Sequence, residues 1–239
     1  MKLLLKVRLS IYFWVFLSIF LLASFFLPKV KFESTALTLF SVNSFLYGFY
    51  IAPILSAQKS RIEELHKIVR AESNALFAMA LNSKSYSEKF HKEIIAMLSG
   101  YINQVLATRG IGGGEEVYEH MISESLSQKG KDADSAKKFL DQLIANQTNR
   151  SNLAMQISNK VYSNEWWIMF VLFSITLSFV LLLDTGKSVF MSIIKALLCT
   201  GLSMLILILV KLSSLTHKKA TKMWDPLKKL SDTKFYRLD

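Results

Sequence analysis

The sequence predicts an all-α membrane protein with four transmembrane helices in two hairpins and a helical cytoplasmic domain inserted between spans two and three. Composition is the first observation behind this fold class: 51% of the residues are hydrophobic and the mean hydropathy is +0.32, high values for a chain that is also 20% charged. Segregation is the second, because the apolar residues form four long runs and the charges lie between and after them.

Each run is close to the ~20 residues that a helix needs to cross ~30 Å of hydrocarbon. A backbone in lipid must satisfy its own hydrogen bonds, and the runs lack the alternation of strands, so we expect helices. The runs are Leu9–Leu27, Thr35–Ala57, Trp166–Leu183 and Val189–Val210. They define transmembrane hairpin one (residues 1–57), a cytoplasmic helical domain (58–164), transmembrane hairpin two (165–211) and a basic tail (212–239).

The uneven distribution of Lys and Arg predicts the orientation. The net charge is +11, and basic residues are concentrated at the N-terminus, at the start of the middle domain and in the tail. The hairpin loops carry fewer, such as Lys29 and Lys31 beside Glu33, or Lys187 near Asp184. Because flanks rich in Lys and Arg stay inside, both termini and the middle domain are expected in the cytoplasm. A signal peptide is the alternative for the first thirty residues, but the absence of a clear small-residue cleavage site favours a retained span.

The middle domain has the periodicity of helices. An apolar row at 3–4 spacing predicts that the second span continues as a helix into the cytoplasm; it contains Ile62, Leu65, Val69, Leu76 and Met79. Ser85 and Glu88 fit a capping box that opens a second helix. Residues 110–114 form a glycine-rich connector, a shorter helix is expected from Glu115 to about Ser127, and a long helix is expected from about Asp134 straight into the third span.

Two charged residues interrupt these apolar rows. Glu72 occupies a core position in the first row, and Arg150 does so in the last helix. Either charge alone would be costly to bury, so one interpretation is an interhelical pair. The other is that both side chains reach solvent at the edge of the domain.

Motifs for enzyme chemistry are lacking in the sequence. The four histidines show no metal-binding spacing, and Cys199 is the only cysteine. The Gly186-Lys187-Ser188 triplet lacks the upstream glycine of a phosphate-binding loop, since Leu181 stands there. We therefore predict no catalytic activity, no metal, no cofactor and no nucleic-acid partner.

The second span carries the best functional candidates. Its small and hydroxyl-bearing residues either allow close helix packing or line a pore; the pore-lining candidates are Thr38, Ser41, Ser44, Phe45 and Gly48. Lys195 in the fourth span either extends along its stem to the outer surface or faces a water-filled path, where it would favour anions. The basic tail is expected to bind anionic lipid headgroups at ~1 kcal/mol per cation.

Several short motifs resemble the bestrophin-like domain family of bacterial membrane proteins. They are Ser44-Phe-Leu-Tyr47-Gly48, then Val69-Arg70-Ala71-Glu72, then Tyr101 in the next helix and Asp225-Pro226 in the tail. The resemblance covers roughly Phe40 to Leu230, and the chain departs from the pattern at polar Asn43 and in its Gly- and Lys-containing hairpin loop. It implies a multi-pass protein of the bacterial inner membrane and, by likeness to true bestrophins, a ring of subunits with span two around an anion path.

Two functional hypotheses follow from these observations. The first is a homo-oligomeric channel, anion-conducting by the resemblance, whose second span lines the pore. The second is a membrane-anchored sensor or interaction protein, for example a membrane-acting defence effector, whose cytoplasmic helical domain binds a protein partner.

Overall fold

The structure is a computed structural model that describes residues 7–110, 112–186 and 188–233. Within these ranges the protein is helical, as predicted, and the one strand-like feature is an isolated backbone pairing of Val30 with Leu183. Lys187, a basic residue of the second predicted hairpin loop, lies outside the described residues.

The elements follow one another along the chain with short connections. The helices are α1 (Leu9–Phe26), α2 (Ser34–Ser83), α3 (Glu88–Thr108), α4 (Glu115–Ser127), α5 (Ala133–Ser158), α6 (Ser163–Leu182), α7 (Val189–Ser213), α8 (Lys218–Thr221) and α9 (Asp225–Ser231). Short 3₁₀ turns precede α5 and α9.

Four helical stretches in the described part of the chain are long and apolar enough to span a membrane. They are Leu9–Phe26, Ser34–Ser83, Ala133–Leu182 and Val189–Ser231. The apolar portions of the last two correspond to α6 and α7, whose sequences carry long runs of Leu, Ile, Phe and Val.

Two predicted helix boundaries are confirmed and two are wrong. The second span does continue as one helix, α2, and α4 has the predicted bounds. The cap of α3 is Ser87, whose Oγ accepts the Phe90 N–H at 3.3 Å, whereas the Ser85 hydroxyl donates to the Asn82 carbonyl at 2.8 Å in the preceding turn.

The long helix predicted to run into the third span is interrupted. α5 ends at Ser158, and α6 begins only at Ser163. The Glu165 carboxylate accepts the Tyr162 N–H at 3.0 Å, which caps the new helix. The start of the second helix is therefore specified by a side chain in its own first turn, which satisfies a free backbone N–H group.

The chain divides into two compact units. Unit one contains the residues up to Ser60 together with Lys160–His217, and unit two contains Arg61–Asn159 together with the residues from Lys218 onward. In unit one, α7 packs against α1 and α6. Residues of α2, α6 and α7 and of the segment before α6 form its apolar core, which consists of Tyr47, Ile51, Val161, Met169, Ile206 and Leu209.

Unit two is a helical bundle in which α4 packs against α3 and α5. Its interior contains large side chains that are completely buried, among them Leu65, Leu76, Phe90, Tyr101, Tyr118, Phe139 and Leu143. The end of the chain contributes as well, because Trp224 and Leu227 are buried and α9 packs against α3. The basic tail thus has an apolar side that belongs to this core.

Candidate functional site

The candidate pore-lining residues of α2 are distributed over two faces. Thr38, Ser41, Phe45 and Gly48 are all exposed, and their spacing of three and four residues places them on one side of the helix. We call these four residues the outward stripe. Tyr47 and Ile51 lie on the opposite side and are buried in the core of unit one.

Ser44 is turned away from the outward stripe. Its residue is partly buried, and its Oγ is shielded from solvent without a hydrogen-bond partner. Of the five candidates on α2, the structure therefore groups four in the exposed outward stripe and places Ser44 beside this stripe, on the side nearer to the core of unit one.

Packing within the described chain does not explain the glycine of the outward stripe. A Cβ atom placed on Gly48 would meet no atom within 4 Å. A small residue that allows close approach of another helix would show a near neighbour at this position. No close approach among the described residues therefore requires a glycine at position 48.

Asn43 gives α2 a polar anchor on its inner side. Its Nδ2 donates to Thr176 Oγ1 at 2.8 Å and to the Leu172 carbonyl at 3.1 Å, both on α6. Interhelical hydrogen bonds of this kind hold membrane helices together with ~0.6–2 kcal/mol. The departure of Asn43 from the family pattern thus has a structural explanation in helix packing.

Lys195 lies apart from the outward stripe and is almost fully buried. Its Nζ donates to the carbonyl of Leu183 at 2.8 Å and to that of Leu181 at 3.4 Å, at the C-terminal end of α6. The side chain thus extends towards the helix end, and its charge stabilises the last carbonyls there. This placement gives no indication of a water-filled path.

Glu72 lies in the core of unit two and is completely buried. Its Oε1 accepts a short hydrogen bond from the Tyr101 hydroxyl, and its Oε2 has no partner. Burial raises the pKa of Glu72, and the Tyr101 hydrogen bond and the nearby charge of Arg150 oppose this only in part.

Arg150 contacts aromatic rings. Its guanidinium carbon lies 3.8 Å from the ring centre of Tyr118 and 5.4 Å from that of Tyr101, and its Nη1 donates to Gln147 Oε1 at 3.2 Å. The structure brings Glu72 and Arg150 into one cluster, but the ion pairs of the described residues do not include one between them. Tyr101 contacts both: its hydroxyl donates to Glu72, and Arg150 interacts with its ring and with its hydroxyl. We call Glu72, Tyr101, Tyr118 and Arg150 the Tyr101 cluster.

The sequence places Tyr101 among the residues that carry the resemblance but assigns it no role, and it gives no signal for Tyr118. The Tyr118 hydroxyl donates to the Leu143 carbonyl at 2.6 Å, and burial raises the pKa of Tyr118 to about 12. Gly114 at the start of α4 has a φ of 77°, and a Cβ there would lie 2.7 Å from the Tyr101 ring. The glycine-rich connector is therefore also a packing element, since only glycine fits against Tyr101 at this point.

A cavity of about 140 Å³ adjoins the Tyr101 cluster. Tyr101, Gly113, Glu115, Arg150 and Ala154 are among the residues that line it. In the described ranges no group of three or more His, Cys, Asp or Glu side chains lies close enough together to hold a metal ion.

Comparison with known protein families places most of the chain in one of them. The family described as Bestrophin-like domain matches residues 11–215. No curated protein and no solved structure matches the chain.

Proposed function

The chain belongs to the bestrophin-like domain family, and from this premise we propose that it is a homo-oligomeric membrane channel whose α2 helices line the pore. Its proposed arrangement is two transmembrane hairpins, with both termini and the inserted helical domain in the cytoplasm. The proposed location is the bacterial inner membrane, in keeping with four apolar helical stretches and flanks rich in Lys and Arg.

The free outward stripe of α2 is the observation that carries this proposal. Hydroxyl groups at Thr38 and Ser41 and the exposed backbone at Gly48 can replace part of the hydration shell of an ion. Phe45, at 69% exposure, projects from the same face and suits a hydrophobic constriction. In a ring of identical subunits these positions would repeat around the central axis.

Lys195 does not support a preference for anions, because its ammonium is bound to carbonyls of its own subunit. Anion conduction therefore enters the proposal from the family alone, and the reversal potential in a chloride gradient is the measurement that tests it.

Exposed apolar side chains on unit two favour a second candidate function. Leu126 and Ile144 are more than half exposed, and Leu81 is nearly so. A contiguous patch of such residues is typical of a protein-binding surface. A membrane-anchored sensor whose helical domain binds a partner would require these three side chains to lie on one face.

Substitution of Gly48 by Trp tests the channel directly. Gly48→Trp adds a large side chain to the outward stripe at a position free of contacts within the subunit. We expect the ion flux of purified protein in liposomes to fall at least about tenfold, since an indole at a constriction excludes hydrated ions. Size-exclusion chromatography with light scattering should show an unchanged oligomer.

Gly201→Trp provides the matched control. Gly201 lies on α7 and is exposed, and a Cβ atom placed on it would likewise meet no atom within 4 Å. This variant should conduct like the wild type. A monomeric wild-type protein, or equal flux in both variants, would favour the anchored-sensor function.

A further inference from the structure

The environment of Glu72 is unsuited to a permanent negative charge. The residue is completely buried, and the neighbouring core positions on its helix are the apolar Val69 and Leu76. One carboxyl oxygen is hydrogen-bonded to Tyr101, and the other has no partner at all. Burying an ionised carboxylate without full compensation costs several kcal/mol, whereas a neutral acid with one unsatisfied group costs much less.

The groups that face Glu72 from the packed helices compensate its charge only in part. α3 supplies Tyr101, α4 supplies Tyr118 and α5 supplies Arg150. Arg150 is the cation among them, and it is held over the Tyr118 ring without forming an ion pair with Glu72. Both tyrosines are neutral at physiological pH, because the ordinary pKa of 10.0 already lies well above it and burial raises the pKa of each further.

We propose that Glu72 is a proton-binding site. The Glu72 carboxyl holds a proton at neutral pH, and release of this proton at higher pH loosens the packing of α2 against α3. The loosened segment would be the part of α2 that lies in unit two, from Arg61 to Ser83. This segment belongs to the same continuous helix as the outward stripe. Proton release therefore acts on the helix that carries the proposed pore, although the inference itself does not require that the protein conducts.

The expected direction of the pH effect follows from linkage. A carboxyl whose pKa is higher in the folded than in the unfolded state stabilises the fold through proton binding. This contribution is fully present below the ordinary value of 4.5 and is lost as the pH rises through the raised value. The wild type should therefore become less stable with rising pH, relative to a variant with a neutral side chain at this position.

Infrared spectroscopy of the full-length protein in detergent provides the first test. The wild type should show the C=O stretching band of a protonated carboxyl at neutral pH, and this band should disappear at alkaline pH. Glu72→Gln should lack the band. The carboxyl band of the wild type can be measured even if the variant folds poorly. Absence of this band from the wild type at neutral pH would overturn the proposal.

Thermal unfolding across the same pH range provides the second test. The melting temperature of Glu72→Gln should exceed that of the wild type increasingly as the pH rises. Tyr101→Phe should move the loss of the carboxyl band to higher pH, because the ionised form loses its hydrogen-bond donor.

Glu63→Gln is the matched control, since Glu63 is exposed on the same helix and the charge change is identical. The melting temperature of Glu63→Gln should change with pH in the same way as that of the wild type. If Glu72→Gln also followed the wild type at every pH, or were less stable by a constant amount, Glu72 would be an ordinary structural carboxylate and the proposal would be wrong.

Discussion

Arg150 is stabilised by aromatic faces, and this determines how its substitution should behave. Its guanidinium lies 3.8 Å from the Tyr118 ring centre, a geometry in which a partly desolvated cation–π contact contributes about 1–2 kcal/mol. Arg150→Ala should therefore lower the free energy of unfolding by about this amount. Urea unfolding in detergent, followed by circular dichroism, measures the effect.

A double-mutant comparison identifies the partner of Arg150. The coupling energy of Arg150→Ala with Tyr118→Leu should exceed that with Glu72→Gln, because only the first pair is in direct contact. Arg70→Ala, at an exposed position, is the control for loss of a surface charge. A larger coupling with Glu72 would show that the two charges interact directly in solution.

Sequence periodicity identified Glu72 as a core residue but could not identify its partner. The 3–4 spacing of apolar residues fixes which face of α2 is inward, and Glu72 lies on that face. Tyr101 comes from another helix, and its hydroxyl meets Glu72 only because Gly114 leaves room for its ring. Such a contact depends on the relative position of helices, which periodicity within one helix does not contain.

At the scale of helices, two ends are capped by cations from other elements. Arg61 donates from Nε to the Gln156 carbonyl at 2.7 Å and from Nη2 to the Ile157 carbonyl at 2.8 Å, at the end of α5. Lys195 does the same for α6. Cations at these positions satisfy free carbonyls and interact favourably with the helix dipole.

Arg61→Met should destabilise the protein by about 2 kcal/mol, because it leaves the α5 carbonyls without their charged donor while keeping most of the side-chain volume. Chemical unfolding in detergent measures this loss. Lys59→Met removes an exposed cation two residues earlier and should change stability little. Equal losses in the two variants would assign the effect to net charge instead of capping.

Helix boundaries were predictable where the local sequence specifies them and not where a distant residue caps the helix end. α4 lies between a glycine-rich connector and a polar turn, so local sequence defines both of its ends. The interruption between α5 and α6 has no Pro or Gly, and the apolar spacing continues through Ile157 and Val161. The end of α5 is bound by Arg61, nearly one hundred residues earlier in the chain, so no local signal marks it.

For the whole molecule, length and hydropathy sufficed to predict four helices suited to a membrane, because the thickness of the hydrocarbon core imposes both. The same reasoning predicted the candidate stripe on α2 but included Ser44, whose inward orientation depends on the packing of unit one. The sequence left two interpretations of Lys195 open for a similar reason, since only the packing of α7 against α6 places the Leu183 carbonyl within its reach.

Membrane topology is the property of the whole molecule that an experiment can address most directly. Lys and Arg flank the helices on the side of both termini and the middle domain, so we expect these parts in the cytoplasm. In a Cys199→Ala background, Ser188→Cys should react with a membrane-impermeant maleimide in intact spheroplasts, because Ser188 is exposed in the connection between α6 and α7. Ser123→Cys on α4 is also exposed but should react only after permeabilisation. Labelling of Ser123→Cys from outside would place unit two on the external face and would remove the charge distribution as the determinant of orientation.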